Sequence, residues 1–363
     1  LTTSKVAAVI GTVEPLVAQR LGIPKGLQGG YRAINAYYHL LRRGDIKTLE
    51  DANRVLISSL DERKRGLARL NKRIDKRKLW KEWENHKPEA DGNLQRHREQ
   101  WAYKYTYWYR SERKKDALGY DGFVGSLRCA WGSIHEATAV LVAVNYFSAR
   151  NMIVSECGMF AGEAILQDYR KRCSAFNNLN FAQRVQLTLL RKLHDLGCYI
   201  GATPDGIITR SNDKSCVEAL EVKNHCPFQM YQNHKNPIRI VDKEPTESLP
   251  KSYIPQLQLE MFCIGFHCRS AILIRLTATK GSIIHRIHRN DEYIEIVLRR
   301  ILKFFKNYVV AQKPPESNFG SNDRTLERIV ELTHRIAEES SVIARIPHKD
   351  IQRCQPFNTP LLR

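Results

Sequence analysis

Gly201-Ala202-Thr203-Pro204-Asp205-Gly206 is followed, after Ile207-Ile208-Thr209 and a polar interval, by Glu221-Val222-Lys223. The stretch has the pattern of a β-hairpin. Pro204 fixes its own φ and Gly206 accepts positive φ, so Pro204-Asp205-Gly206 is turn chemistry. Ile207 to Thr209 begins an extended run, Ser211 to Ser215 is a polar loop, and Cys216 to Val222 is the expected next strand. Residues two apart on a strand share a face, so Glu221 and Lys223 point one way and Leu220 and Val222 the other. Asp205, at the neighbouring turn, can reach the side of Glu221 and Lys223. Two carboxylates and an ammonium in one place are costly for a plain core. They suit a divalent cation held by oxygen ligands, with a lysine beside the water to be activated. Each half is commonplace alone: Pro-Asp-Gly is a frequent turn, and Glu-x-Lys is often a solvated strand face. Their order, with apolar residues between the charges, carries the reading.

A chain of 363 residues can bury a substantial core. One enlarged α/β domain, or one domain with a helical insertion, fits that length. Lysine and arginine number 58 against 38 acidic residues, a formal charge of +20. Such an excess points to a polyanionic partner, nucleic acid ahead of an acidic membrane surface. No stretch has the length of a transmembrane helix and no signal segment opens the chain. The 9 cysteines are odd in number and lack a Cys-x-x-Cys pair, so reduced thiols in an intracellular protein are expected. Cys263, His267 and Cys268 are the one close group, and zinc there is disfavoured. There is no initiator Met, and the chain reads as a processed form or a fragment.

Thr3 and Ser4 cap a first helix that Gly11 stops. An ordinary cap and a phosphate-binding helix start fit these residues equally well. Asp61 to Trp83 is a basic helix candidate in which Leu67, Leu70 and Ile74 mark an apolar stripe among cations that include Arg73 and Lys76. A solvated face and a nucleic-acid contact are equally supported there. Trp101 to Arg110 interleaves aromatics with cations; packing on the core is favoured over stacking on bases. Gly132 to Phe147 is a helix with Glu136 one turn in, either a helix-dipole partner or a third acidic group. Ile153 to Phe160 is strand-like, and Glu163 to Leu196 is helical. Residues 232–250 are loop-like. A helix starts at Ser252, with Pro255 in its tolerated first turn, and ends at Gly265; Tyr253, Gln256 and Glu260 share a face. Two strands, Ala271 to Thr277 and Ser282 to Ile287, are joined by a Lys280-Gly281 turn. Asp291 to Val310 is an amphipathic helix with Ile294, Val297, Leu298, Ile301 and Phe304 inward and Arg299, Arg300, Lys303 and Lys306 outward. A last helix covers Asp323 to Ser340, and the tail beyond Ile346 is weakly patterned.

The order Gly132-x-x-x-Glu136, Thr203-Pro-Asp-Gly206, Glu221-x-Lys223 and Tyr253-x-x-Gln256-Leu-Gln258-x-x-Met261-x-x-x-Gly265 resembles the phage lambda exonuclease-like family. These are also called YqaJ-like viral recombinase nucleases, within the PD-(D/E)xK superfamily. The opening Leu1-Thr2-Thr3-Ser4 is similar to the family's Ile-Thr-Ala-Ser segment. The resemblance covers about residues 126–310 and the first eleven. It implies a restriction-endonuclease-like core, a central mixed β-sheet flanked by helices. It implies that Asp205, Glu221 and the Val222 carbonyl hold Mg2+, with Mn2+ as a substitute, and that Glu136 supports a second metal or its water. Lys223 would orient and help deprotonate the attacking water. Gln256 would position the site or the scissile phosphate. Ser4 would grip a terminal 5′ phosphate. The family's phosphate-binding arginine lies upstream of the serine, and this chain begins too late to show it; the long basic insertion departs from the short phage enzymes.

The expected organisation is residues 1–44 as an N-terminal helical part, 45–120 as a basic helical insertion, 121–312 as the nuclease core, and 313–363 as a C-terminal helix and tail. The expected activity is Mg2+-dependent hydrolysis of DNA at duplex ends, in recombination, repair or replication. A single-strand annealing protein is the partner the resemblance implies. Thr3, Ser4, Tyr253, Arg73, Lys76 and Arg110 are the candidate phosphate and DNA contacts. A structure-specific endonuclease on the same core and an inactive nucleic-acid-binding module are the alternatives.

Overall fold

The computed structural model describes residues 3–23, 132, 135–136, 138–171, 179–210, 213–230, 238–240, 243–311, 315 and 323–351. The basic insertion, with Arg73, Lys76 and Arg110, lies outside them. The molecule is an α/β structure built on a mixed sheet of six strands. In spatial order they are β1 (Met152–Ser155), β4 (Gly206–Arg210), β5 (Asp213–Asn224), β8 (Cys268–Leu276), β9 (Ser282–His288) and β10 (Ser341–Ile346). Only β5 and β8 run parallel; the other neighbours are antiparallel.

That parallel pair decides where the site forms. Antiparallel strands close through a tight turn, whereas parallel neighbours need a long crossover. The crossover between β5 and β8 carries helix α6 (Ile254–Ile264) across one face of the sheet. Its sequence, Ile-Pro-Gln-Leu-Gln-Leu-Glu-Met-Phe-Cys-Ile, is apolar nearly all round, and every residue but Gln256 is buried. Pro255 sits in the first turn, where no backbone donor is lost. Gly265 ends the helix at φ 131°, a conformation that side chains resist.

The core on this face joins α6 to α1 (Thr3–Ile10), α5 (Phe181–Asp195), α7 (Asp291–Phe304) and α8 (Arg324–Glu339), over Val217, Ala219, Leu273 and Ile287 of the sheet. On the other face a second core packs Ala139, Val142, Ala143 and Phe147 of α3 (138–148) on Ile208, Leu220, Val222, Ile272 and Ile274. β5 is therefore covered on both sides. Two shorter helices, α2 (Pro15–Arg20) and α4 (Gly162–Lys171), and two small ribbons, β2 (Phe160–Ala161) with β3 (Gly201–Ala202) and β6 (Phe228–Met230) with β7 (Ile238–Ile240), lie outside the sheet, as do short 3-10 turns at Lys251–Tyr253 and His348–Asp350.

The first helix, the 252–265 helix, the two strands with their Lys280-Gly281 turn and the last helix form where the patterning puts them. Several expectations change. Ile153 to Phe160 is not one strand: β1 ends at Ser155 and β2 begins at Phe160. The polar Asp213-Lys214-Ser215 belongs to β5, because the strand pairs past the turn residues up to Asp213. Within 232–250, Ile238–Ile240 is extended. Gly206 is not a positive-φ residue; a Cβ there would lie 3.0 Å from the Ser155 carbonyl oxygen, so glycine lets β1 approach β4. The long helix ends at Phe304 and continues as a π-helical segment to Val310.

Arg300, expected outside, is buried. Its Nε donates to the Ile10 carbonyl at the end of α1, and its Nη1 donates to Asp323 at 2.5 Å. It thereby caps one helix and joins the start of another, and that polar satisfaction overrides the helical period. Ser341–Ile346 is β10, which pairs with β9 at the sheet edge. Among the described residues no helix is long and apolar enough to cross a membrane.

Candidate active site

β4 pairs with β5 only as far as Gly206 opposite Leu220, so β5 runs on beyond its neighbour. The freed edge of Val222 is taken by a side chain instead of a strand. Asp205, in the bend just before β4, accepts the Val222 N–H at 2.7 Å through Oδ2. In a strand, the N–H and C=O of one residue point to the same side, so the Val222 carbonyl also faces the Asp205 side.

Glu221 and Lys223 share the face under α6. The Lys223 ammonium donates to Glu221 Oε1. The same oxygen accepts Gln256 Nε2 at 2.6 Å, and Gln256 Nε2 also donates to Glu260 Oε1 at 2.7 Å. The ring of Tyr253 lies 5.6 Å from Lys223 Nζ, within cation–π range. Glu221 is 4% exposed and Glu260 is fully buried, while Asp205, Lys223, Tyr253 and Gln256 are half-buried, so the two glutamates lie at the closed back of a cluster that opens on the Lys223 side and not on a solvated strand face.

The electrostatics record the crowding. Burial first, then the neighbouring Glu221, pushes the Asp205 carboxyl up to about 7, against the pull of the Val222 N–H and Lys223. Glu260 is raised well above the usual carboxylate range by burial and then by Glu221. Burial opposes the charge on Lys223, but the field and hydrogen bond of Glu221 outweigh it, and the net shift is upward. Cys157, whose Sγ lies 3.6 Å from the Pro204 carbonyl, is raised to about 11 by burial and then by Asp205. It is a neutral thiol in this setting.

The structure thus brings together Asp205, Glu221, Val222, Lys223, Gln256 and Tyr253. Glu136 is exposed on a helical segment ahead of α3 and adds a small upward push to Asp205. That segment is tied to the end of β5 by Asn224 Nδ2, which donates to the Gly132 carbonyl at 3.0 Å. Among the described residues no three His, Cys, Asp or Glu side chains form a ready metal cage, so Glu136 does not complete one with Asp205 and Glu221. Thr3 and Ser4 begin α1, and their side chains lie outside the described residues. Glu260 is the residue to which sequence reasoning gave no role. Its signal was the four-residue spacing from Gln256, which puts both on one helix face.

The donor set fits a hard dication. Asp205, Glu221 and the Val222 carbonyl offer oxygen donors of the kind Mg2+ takes, and positive charge would relieve the Asp205 carboxylate, whose charge burial and then Glu221 make costly. Compared with protein-family models, curated proteins and solved structures, the chain matches none.

Proposed function

We propose that the chain is a Mg2+-dependent deoxyribonuclease with a restriction-endonuclease-like core, acting as an exonuclease on duplex DNA ends in recombination, repair or replication. The observation that carries this reading is the closed group at the strand edge: Asp205 on the Val222 N–H, and Glu221 bonded to both Lys223 and Gln256. The motif order shared with the lambda exonuclease-like family supports the same chemistry, and the charge of +20 supports a polyanionic substrate.

Asp205, Glu221 and the Val222 carbonyl would hold the cation. When bound, it supplies charge neutralisation and Lewis acidity toward the phosphodiester. Lys223 stays charged beside Glu221, so it acts as a donor that orients water and attracts anionic oxygen. Gln256 holds Glu221 Oε1 in place, leaving Oε2 for the cation. The π-face of Tyr253 keeps the ammonium from swinging away. α6 and the sheet exclude water from the back of the group, which strengthens each of these interactions.

The test is release of nucleotides from end-labelled duplex DNA in Mg2+, with 5′-phosphate and 5′-hydroxyl ends compared. Wild type should release them, and Lys223→Ala should lose about 10²–10³ in turnover. Equal release by the two proteins, or none from wild type, defeats the reading. Nicking of covalently closed circles would transfer the assignment to an endonuclease on the same site.

A further inference from the structure

We propose that Glu260 is a positioning residue of the site: it fixes the orientation in which Gln256 presents its amide nitrogen to Glu221. The inference deepens the nuclease reading and rests on it for the activity readout alone. Three observations meet here. Gln256 Nε2 lies between two carboxyl oxygens, 2.6 Å from Glu221 and 2.7 Å from Glu260. A side-chain amide nitrogen has two N–H donors, so each carboxyl takes one and the amide plane is fixed in both directions. With Glu221 alone the amide would pivot about a single bond.

Glu260 is also costly where it stands. It is fully buried, and its Oε2 has no hydrogen-bond partner among the described residues. Its neighbours Leu257, Leu259 and Met261 are buried and apolar, so a leucine at 260 would suit this helix better on packing grounds. What the carboxyl contributes there is its bond to Gln256. A ligand role is less well supported, because no three acidic side chains of the described residues converge on one point. The four-residue spacing on α6 keeps the pair together without tertiary adjustment, while the bond from Gln256 to Glu221 crosses from helix to sheet. Glu260 thus locks a rotamer on α6, and the locked rotamer holds a carboxylate on β5.

The test compares Glu260→Gln, which keeps an oxygen acceptor of the same reach, with Glu260→Leu, which removes it. The first readout is the side-chain amide resonance of Gln256, by NMR of nitrogen-labelled glutamine in the metal-free full chain, assigned by its absence in Gln256→Met. It should be retained in Glu260→Gln and shifted upfield for one of its two protons in Glu260→Leu. An unchanged Gln256 signal in a folded Glu260→Leu overturns the proposal. The second readout is nuclease turnover, which should fall about 10–100-fold in Glu260→Leu and recover in Glu260→Gln. Turnover of Glu260→Leu equal to wild type overturns it as well. If wild type shows no cleavage, the nuclease reading fails, and the amide resonance still decides the role of Glu260.

Discussion

Asp205 is the residue at which fold and chemistry pull against each other. Its carboxyl is raised from 3.8 to about 7, chiefly by burial and then by Glu221. Between those values the folded, cation-free protein holds a proton that the unfolded chain has released. Stability from this group is therefore full at low pH and is lost as pH rises through about 7. Asp205→Asn keeps an oxygen for the Val222 N–H and removes the titration. In chelator, the Asn variant should be more stable than wild type at pH 8, by on the order of 2–4 kcal/mol. The advantage should shrink steadily toward pH 5. Adding Mg2+ should raise the melting temperature of wild type and leave the variant unmoved. A constant difference across that pH range, in thermal melts followed by circular dichroism, would remove the electrostatic account of Asp205.

At the scale of elements, α6 is the part that turns a strand into a site, and its far end is held by one arginine. Arg289 donates through Nη1 to the Met261 and Gly265 carbonyls at 3.0 and 3.1 Å, satisfying the open C-terminus of α6. Its Nε pairs with Asp291 at 2.7 Å, and its Nη2 reaches Gln186 at 3.0 Å. Asp291 in turn accepts from Gln183 and Gln186 of α5. The side chain of Arg289 is 1% exposed, so the network is dry. Removing one partner of a buried pair leaves the other charge stranded. Arg289→Leu should therefore cost about 3–5 kcal/mol in urea denaturation. Arg299→Leu, which breaks an exposed pair with Glu295 on α7, should cost under about 1 kcal/mol. Similar losses from the two would mean that α6 is anchored by its apolar packing alone.

For the whole molecule the governing quantity is charge. With 58 basic against 38 acidic residues, the chain carries a formal +20. If DNA is the ligand, affinity should fall linearly in log–log form with salt, with a slope of about −0.9 per phosphate neutralised. Fluorescence anisotropy with a labelled duplex, in Ca2+ to suppress cleavage, measures it. Lys223→Ala should change that slope by about one or less, because a single contact is removed. A salt-independent affinity would exclude a phosphate-driven footprint.

Much of this was legible in the chain. Strand alternation put Glu221 and Lys223 on one face, Pro204 and Gly206 marked the entry to β4, and helical spacing put Gln256 and Glu260 on one side of α6. Those are local facts, fixed by backbone periods of two and of about 3.6 residues. Local patterning missed what is set by distant partners. Arg300 looks solvent-facing by period and is buried because the Ile10 carbonyl and Asp323 satisfy it. Ser341–Ile346 has no decisive pattern and becomes a strand because β9 offers a free edge.

The sequence by itself determined which groups are available and which of them share a face: Asp205 ahead of one strand, Glu221 and Lys223 on the next, Gln256 and Glu260 on a later helix. Only the tertiary structure decided that these faces meet. β5 and β8 are parallel, a parallel pair requires a crossover, and the crossover lays α6 over the charged face of β5. Burial then does what spacing could not, turning an ordinary charge pair into a largely buried cluster in which Glu221 raises the cost of charge on Asp205 and Glu260.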